Sequence, residues 1–255
     1  MISIKTKSEI ERMRQSGQIL AEVFEIMKKN IKPGVSTKHL DKLAHDYILS
    51  QNATPSFLRY NGFPASICTS VDEYVVHGIP SDSCILQEGM IIGVDVGVNY
   101  KGMHTDAART YAVGKISKEK QQLIEVTKQS FFEGIKYLKD GSRVGDIGAR
   151  IQRYAEKFGY GVVRDLVGHG VGKCLHEDPS IPNFGREGTG VKLQSGMTIA
   201  IEPMINMGDY HVQFDGMWKV WSADRSPSAH YENTVLIKDD GVEILTIKQE
   251  DKDVE

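Results

Sequence analysis

Residues Ile91–Val113, IIGVDVGVNYKGMHTDAARTYAV, decide the fold because they read as two strands joined by a tight turn. Apolar and β-branched residues flank the tetrad NYKG, a composition typical of a β-hairpin. With Tyr100 and Lys101 at the tip of a symmetric loop, Asp95 lies directly opposite Asp106. Cross-strand partners have their Cβ atoms about 5 Å apart. The sequence therefore predicts two carboxylates on one face of the ribbon.

Two aspartates in one ribbon need compensation. Aspartate is depleted in strands, and two ionised carboxylates this close in apolar surroundings repel each other. Either one of the pair holds a proton, or a cation lies between them. The alternative is that one aspartate lies in the turn and both are solvated. The hairpin pattern favours a metal site or an acid/base pair over that alternative.

Composition limits the class of protein. With 255 residues, 40% of them hydrophobic and 25% charged, the chain is typical of a soluble globular protein with one large domain or two small ones. A net charge of -3 argues against a DNA-binding surface, and the lack of a long apolar run argues against a membrane span. Cys68, Cys84 and Cys174 are scattered and odd in number, which indicates free thiols in a cytoplasmic protein.

The hydrophobic pattern predicts four helices and a set of strands. An apolar stripe predicts the first helix over residues 8–31, with Ser8 and Glu11 as its capping box, and Thr37 is the predicted cap of the second. The other predictions are helices over 117–139 and 144–158, a long loop over 173–190, and strands over 197–207, 211–221 and 229–247.

An internal repeat relates the two halves of the chain. At a shift of 107 residues, residues 86–92 (LQEGMII) match residues 193–199 (LQSGMTI), and Asp95 falls on Glu202. Two halves of helix, helix and strands, packed face to face, predict one α+β domain over residues 1–255 with pseudo-two-fold symmetry. Such an axis brings the two acids of the repeat to the centre of the molecule.

Three further residues are candidates for the same site. Glu202 lies in a buried-looking strand, where a carboxylate needs a partner, either a metal or an arginine. His169 has a glycine on each side, which leaves its imidazole unobstructed. The alternative for His169 is a core histidine bonded to backbone. Glu232 enters another strand and is either a ligand or a surface glutamate.

These residues form an oxygen-rich set with a single nitrogen: Asp95, Asp106, His169, Glu202 and Glu232. Such a set suits divalent Mn, Fe, Co or Zn, and four carboxylates offset the charge of two divalent ions. Two ions about 3.5–4 Å apart would hold a bridging water and make it a hydroxide near neutral pH.

At these positions the chain resembles the bacterial type I methionine aminopeptidases over nearly its whole length. The matching motifs are the aspartate pair of the hairpin, GHGVG at 168–172, HEDP at 176–179, IEPM at 201–204 and YENT at 231–234. The resemblance implies the pita-bread fold, in which helices cover an antiparallel sheet, and a dinuclear metal site. The implied ligands are Asp95 with Glu232 on one metal and His169 with Glu202 on the other, with Asp106 and Glu232 as bridges.

The resemblance also implies a reaction and the residues that perform it. A metal-bridging hydroxide attacks the scissile carbonyl, and Glu202 accepts the water's proton and passes it on. His176 stabilises the oxyanion, and His77 contacts the scissile nitrogen side. An apolar pocket for the methionine side chain is implied to be lined by Phe57, Tyr60, Phe63, Cys68, Leu175 and Trp218.

Three positions depart from the family pattern. Leu175 replaces an aromatic residue, Asn233 replaces a histidine, and Met217 intrudes next to the pocket residue Trp218. We expect these departures to bear on the shape of the methionine pocket and its surroundings and not on the chemistry.

The resulting expectation is a metal-dependent aminopeptidase that removes the initiator methionine from nascent proteins with a small second residue. Peptide N-termini are its expected partners, the ribosome is a further candidate partner, and we expect a monomer in the cytoplasm. Two rival functions share the fold: a prolidase or Xaa-Pro aminopeptidase, and a non-catalytic binding module. Prolidases carry a different histidine pattern, and a binding module should have lost metal ligands, whereas all five are present here.

Overall fold

The computed structural model describes residues 2–248, in which helices cover an antiparallel sheet. The α-helices are α1 (Lys7–Asn30), α2 (Thr37–Ser50), α3 (Lys118–Ile135) and α4 (Val144–Glu156). The strands are β1 (Thr54–Pro55), β2 (Ile67–Val71), β3 (Tyr74–Val76), β4 (Ile91–Tyr100), β5 (Met103–Ala112), β6 (Gly161–Val162), β7 (Gly168–Gly170), β8 (Glu177–Ile181), β9 (Thr198–Ile201), β10 (Met204–Asn206), β11 (Val212–Asp215), β12 (Lys219–Ser222), β13 (Ser228–His230), β14 (Glu232–Ile237) and β15 (Val242–Ile244). Within the described range, none of the helices has the length and apolar character that crossing a membrane requires.

A nine-stranded sheet forms the centre of the described chain. Its main path runs β1-β4-β5-β14-β9-β7-β8, while β2 pairs with β4 and β15 pairs with β14. Strand β5 comes from the first half of the chain and β14 from the second, and the two pair with each other. The halves therefore meet in the middle of one sheet. Two three-stranded sheets, β13-β10-β6 and β11-β12-β3, complete the pairing.

The predicted hairpin forms from β4 and β5, but its two-residue turn lies one residue further along the chain than predicted. The loop is Lys101–Gly102 alone, with φ positive at both residues, while Tyr100 stays in the strand and packs on the core beneath α1 and α2. Asp106 therefore pairs with Gly97, and the predicted direct pairing of Asp106 with Asp95 is wrong. Because the register moves by two residues, both aspartates keep the same face and become diagonal neighbours.

The helices start one or two residues away from the predicted caps. Thr6 caps α1: its hydroxyl accepts from the Glu9 N–H at 3.3 Å, and the Glu9 carboxylate accepts from the Thr6 N–H at 2.8 Å. The predicted box at Ser8 is wrong because the chain offers the same Thr/Ser-x-x-Glu pattern two residues earlier. In α2 the cap is Ser36 and not Thr37.

The segment predicted as one long loop, residues 173–190, contains strand β8. Two prolines in this segment favoured the loop interpretation. Pro179 lies within β8, which is the last strand on its side of the sheet, so its missing N–H breaks no ladder between neighbours. Strand β8 pairs with β7, the strand that carries His169.

The helices cover one face of the central sheet and leave the other face to polar residues. Val94 and Val96 of β4 pack beneath α1 and α2, and Ile199 and Ile201 of β9 pack with α3 and α4. Side chains alternate along a strand, so Asp95, between the two valines, points away from the helices. This alternation creates the acidic face.

Candidate metal centre

Five polar residues from neighbouring strands lie on the face of the sheet that carries no helices. They are Asp95 of β4, Asp106 of β5, His169 of β7, Glu232 of β14, and Glu202 directly after β9. Ala108 pairs with Asp95 on one side and with Glu232 on the other, so the three form one row across the sheet. Because the middle residue has only a methyl group, the two carboxylates can approach each other above it. The sheet register thus brings the predicted ligands together.

His169 presents an unprotonated ring nitrogen to the carboxylates. Its Nδ1–H donates to the Gly170 carbonyl at 2.8 Å, which leaves the lone pair on Nε2. Nε2 lies 3.8 Å from Asp106 Oδ2 and 3.7 Å from Glu202 Oε1. Burial, with a smaller contribution from His176, lowers the pKa of His169 to about 3. The ring is therefore neutral at pH 7, as a metal ligand must be.

The four carboxyl groups oppose one another's ionisation. Burial raises the pKa of Asp95 to about 7. Burial also raises the pKa of Asp106 well above its usual range, and the charges of Asp95 and Glu202 raise it further. For Glu202 and Glu232, burial is again the largest cause of a raised pKa, followed by the neighbouring carboxylates. A cation between these groups would relieve both the burial cost and the repulsion.

Unpaired buried oxygens test whether a metal fits. Asp95 Oδ1, Asp106 Oδ1 and Glu232 Oε1 are buried and have no hydrogen-bond partner in the described structure. Such atoms are uncommon and need a partner. The described structure contains two groups of possible ligand atoms, and within each group all the atoms lie within 4.8 Å of one another. One group comprises Asp106, His169 and Glu232, and the other comprises Asp95, His230 and Glu232. Carboxylate oxygens with imidazole nitrogens suit a divalent transition metal, so the residues fit the ion.

His230 belongs to one of these groups and was not predicted from the sequence. It is 3% exposed, and its Nε2 lies 3.7 Å from Glu232 Oε2 without a hydrogen-bond partner among the described residues. The signal that could have found it is its position two residues before Glu232, because alternate residues of an extended chain share a face.

All the residues predicted for the site line one cavity of about 380 Å³. Its apolar part is lined by Phe57, Tyr60, Phe63, Cys68, Leu175 and Trp218, which belong to one hydrophobic cluster together with Ala65 and Ile79. Five further residues line the cavity and were not predicted: Asn61, Val76, Leu166, Val167 and Met204. They carry no ligand chemistry that a sequence could reveal.

Two histidines lie in the cavity beside the carboxylates. His176 Nδ1 and the Tyr60 hydroxyl are hydrogen-bonded at 2.9 Å, and the two rings stack with centroids 5.3 Å apart. The His176 ring centroid is 4.0 Å from that of His169. His77 has a φ of +59°, a sparsely populated conformation for this residue type, and its ring meets Trp218 edge-on. Burial lowers the pKa of His176, and it lowers that of His77 to about 4.

Of the three departures from the family pattern, only Leu175 lines the cavity. Asn233 lies elsewhere: its Oδ1 accepts from Arg109 at 2.6 Å and from the Thr246 hydroxyl at 2.9 Å. Met217 is 76% exposed and does not line the cavity. The expectation that Met217 bears on the pocket shape is therefore wrong.

The first described residues lie beside the cavity. Ile2 and Ser3 line a groove of about 830 Å³ that shares His176 with the cavity. Lys5 Nζ and Glu177 Oε2 form an ion pair at 2.6 Å, with side chains only 2% and 9% exposed. This pair fixes the segment ahead of α1 against the residue that follows His176.

Comparison with known proteins identifies the family. Residues 11–239 match metallopeptidase family M24. A methionine aminopeptidase of Clostridium acetobutylicum is 55% identical over 248 residues, which cover 97% of this chain and 99% of that protein. Crystal structures of methionine aminopeptidases from Rickettsia prowazekii and Thermotoga maritima are each 43% identical, with TM-scores of 0.94 and 0.95, and cover 97% of this chain and 100% of theirs. The pita-bread fold is thereby confirmed. The chain belongs to metallopeptidase family M24 and, within it, to the bacterial methionine aminopeptidases.

Proposed function

We propose that this chain removes the N-terminal methionine from peptides and nascent proteins whose second residue is small. The observation that carries the proposal is a single cavity that combines an apolar pocket with clustered carboxylates and histidines. An apolar pocket of this kind suits an unbranched thioether side chain, and the polar cluster suits hydrolysis of the adjoining peptide bond. The whole-chain similarity to methionine aminopeptidases supports the same function.

The proposed metal ligands are the five residues of the acidic face: Asp95, Asp106, His169, Glu202 and Glu232. We propose that they hold two divalent ions of Co, Mn, Fe or Zn, since this mixture of oxygen and nitrogen donors suits those metals. When bound, such ions polarise a carbonyl and lower the pKa of water.

The chain's own residues would move the proton and hold the developing charge. Glu202 lies directly after β9 and lines the cavity, where its carboxylate can accept a proton from water and return it to the leaving amine. With the Tyr60 hydroxyl donating to Nδ1 of His176, the ring proton lies on Nε2, where it can donate to the oxyanion. His77, neutral at pH 7, would contact the nitrogen side of the scissile bond.

Removal of metal is expected to abolish activity, and its return to restore it. Protein stripped with a chelator should fail to hydrolyse Met-Ala-Ser, and Mn, Co, Fe or Zn, added back separately, should restore hydrolysis to different extents. Initial rates with each metal provide the measurement. Full activity of the stripped protein would contradict the proposed site, and preferred cleavage of Xaa-Pro peptides would favour a prolidase-like function.

The apolar pocket is expected to select methionine by fit. In Xaa-Ala-Ser peptides, norleucine should be cut more slowly than methionine, and leucine more slowly still. A change of about one methylene in such a pocket costs roughly 10- to 200-fold in kcat/KM. Keeping the second and third residues constant isolates the pocket from other contacts. Equal kcat/KM for the methionine and leucine peptides would contradict the assignment of this pocket to the methionine side chain.

We also propose a single catalytic domain that acts as a monomer in the cytoplasm, on chains emerging from the ribosome. Strands of both halves pair within one sheet, which supports one domain. Cys68, Cys84 and Cys174 are free, which supports a reducing compartment. Size-exclusion chromatography with light scattering tests the monomer, and cosedimentation with ribosomes tests the partner.

A further inference from the structure

His230 lies against the acidic face but has no role in the proposed ligand set. Its side chain is 4% exposed, and Nε2 is a buried ring nitrogen without a partner among the described residues. The ligand atoms of His230, Asp95 and Glu232 lie within 4.8 Å of one another. A buried nitrogen that no protein group satisfies, facing two carboxylates, has the position of a metal ligand.

We propose that His230 is a sixth metal ligand of this protein and that, with Asp95 and Glu232, it holds one of the two ions. The inference rests on the proposed metal-dependent function and extends it to a residue outside the ligand set that the family resemblance implies. It gives each ion one imidazole, His169 in one group and His230 in the other, with Glu232 common to both.

The distances support ligation over a direct hydrogen bond. The separation of 3.7 Å between His230 Nε2 and Glu232 Oε2 is too long for a hydrogen bond. Two atoms bound to one ion, each about 2.0–2.2 Å from it, are at most about 4.3 Å apart, so 3.7 Å leaves room for an ion between them. His169, a ligand implied by the family resemblance, stands 3.7 and 3.8 Å from its two carboxylates. The distance from His230 to Glu232 thus equals the distance from His169 to Glu202.

Hydrogen bonds hold the main chain of His230 in place. The His230 N–H donates to Thr110 Oγ1 at 2.9 Å, and the Thr110 hydroxyl donates to the His230 carbonyl at 2.9 Å. On its other side His230 pairs with Met204 in the β13–β10 ladder. The main chain that carries the ring is thus fixed on both sides, and Nε2 lies 3.7 Å from Glu232 Oε2, as a site built on rigid elements requires.

A sixth ligand of this type has a consequence for metal selectivity. An imidazole favours Co, Zn and Fe, whereas carboxylate and water ligands alone also suit Mn and Mg. Replacing His230 should therefore weaken the binding of Co more than that of Mn. A histidine that only packs in the core would change the stability of the metal-free protein and leave this ratio of affinities unchanged.

The test measures metal binding directly. Chelator-stripped wild type, His230→Gln and His230→Asn are titrated with Co(II) and with Mn(II) by calorimetry, and His45→Gln serves as the matched control. His45 is a partly buried histidine that is hydrogen-bonded to the Ser66 hydroxyl, and it does not line the cavity. We expect one of the two Co(II) ions to bind at least roughly 10- to 100-fold more weakly to both His230 variants, with a smaller change for Mn(II) and none in the control.

A second measurement needs no substitution. In wild-type protein labelled with 15N-histidine, Zn(II) is expected to shift two metal-binding ring nitrogens if both His169 and His230 ligate, and one if only His169 does. The assignment of His230 is overturned if the wild type binds two ions, only one ring nitrogen shifts, and the His230 variants bind metal as tightly as the wild type. In that case the proposed function still stands. If the wild type binds no divalent ion at all, the proposed function itself fails.

Discussion

Replacement of Asp106 by asparagine is expected to abolish turnover and, at the same time, to stabilise the metal-free protein. Asp106 is 4% exposed and lies with His169 and Glu232 in one ligand group. An amide is a poorer ligand than a carboxylate, so metal affinity falls. Metal ions supply several kcal/mol of transition-state stabilisation, and each ~1.4 kcal/mol is tenfold, so kcat/KM should fall roughly 10³-fold or more.

The opposite effect on stability follows from the pKa of Asp106. Burial and neighbouring acids raise this pKa, which means that the folded protein binds the proton more tightly than the unfolded chain does. In the absence of metal, the stability that this group contributes is therefore greatest below the ordinary aspartate pKa and falls as the pH rises through the raised pKa, so at pH 7 the carboxyl group destabilises the folded state. The substitution Asp106→Asn removes that cost, so the Tm of the stripped protein should rise by about 2–4 °C for each kcal/mol relieved.

Asp41→Asn provides the matched control. Asp41 is also 4% exposed, but its Oδ1 accepts from the Ser66 N–H at 2.8 Å, and its Oδ2 pairs with Lys38 at 2.7 Å. This substitution should lower Tm by weakening satisfied hydrogen bonds and leave metal affinity unchanged. Thermal unfolding with and without metal distinguishes the two aspartates. A stripped Asp106→Asn protein less stable than wild type would contradict the argument that repulsion dominates at this position.

Replacement of His176 by alanine is expected to lower kcat by roughly 10²- to 10³-fold with little change in metal affinity. Single donors to an oxyanion contribute on that order because they act on charge that develops in the transition state. KM should change less than kcat for the same reason. Steady-state kinetics on Met-Ala-Ser, together with a metal titration of the variant, provide the measurement.

Tyr60→Phe isolates the hydrogen bond that orients His176. Phenylalanine preserves the stacked ring but removes the hydroxyl that bonds to Nδ1 at 2.9 Å. The ring proton of His176 is then no longer fixed on Nε2, and kcat should fall, but by less than in His176→Ala. Full turnover by His176→Ala would assign the histidine to structure alone.

The alternation of side chains along a strand explains how much of the site could be predicted. The predicted hairpin register was wrong by two residues. Tyr100 stays in the strand because it packs on the core, and Lys101 and Gly102 form the turn with positive φ. Neither the packing nor the backbone conformation can be read from the local sequence. An even error preserves the face of every side chain. Asp95 and Asp106 therefore stayed on one face, whereas an error of one residue would have separated them.

His230, which was not predicted, has only its spacing from Glu232 as a local signal. His230 precedes Glu232 in a segment that reads as an ordinary strand, and only the packing of β13 against β10 shows that its ring nitrogen is buried without a partner among the described residues. The prolines of residues 173–190 likewise indicated a loop, since no pattern shows that β8 is the last strand of its sheet. Edge position and burial are properties of the assembled fold.

The buried Lys5–Glu177 ion pair bears on how the protein should be handled. It fastens the beginning of the described chain to the rim of the groove, where Ile2 and Ser3 already form part of the wall. Residues fused ahead of Ile2 for affinity purification would therefore start beside the groove that adjoins the cavity. Kinetics of extended substrates should therefore be measured on protein from which any such fusion has been cleaved.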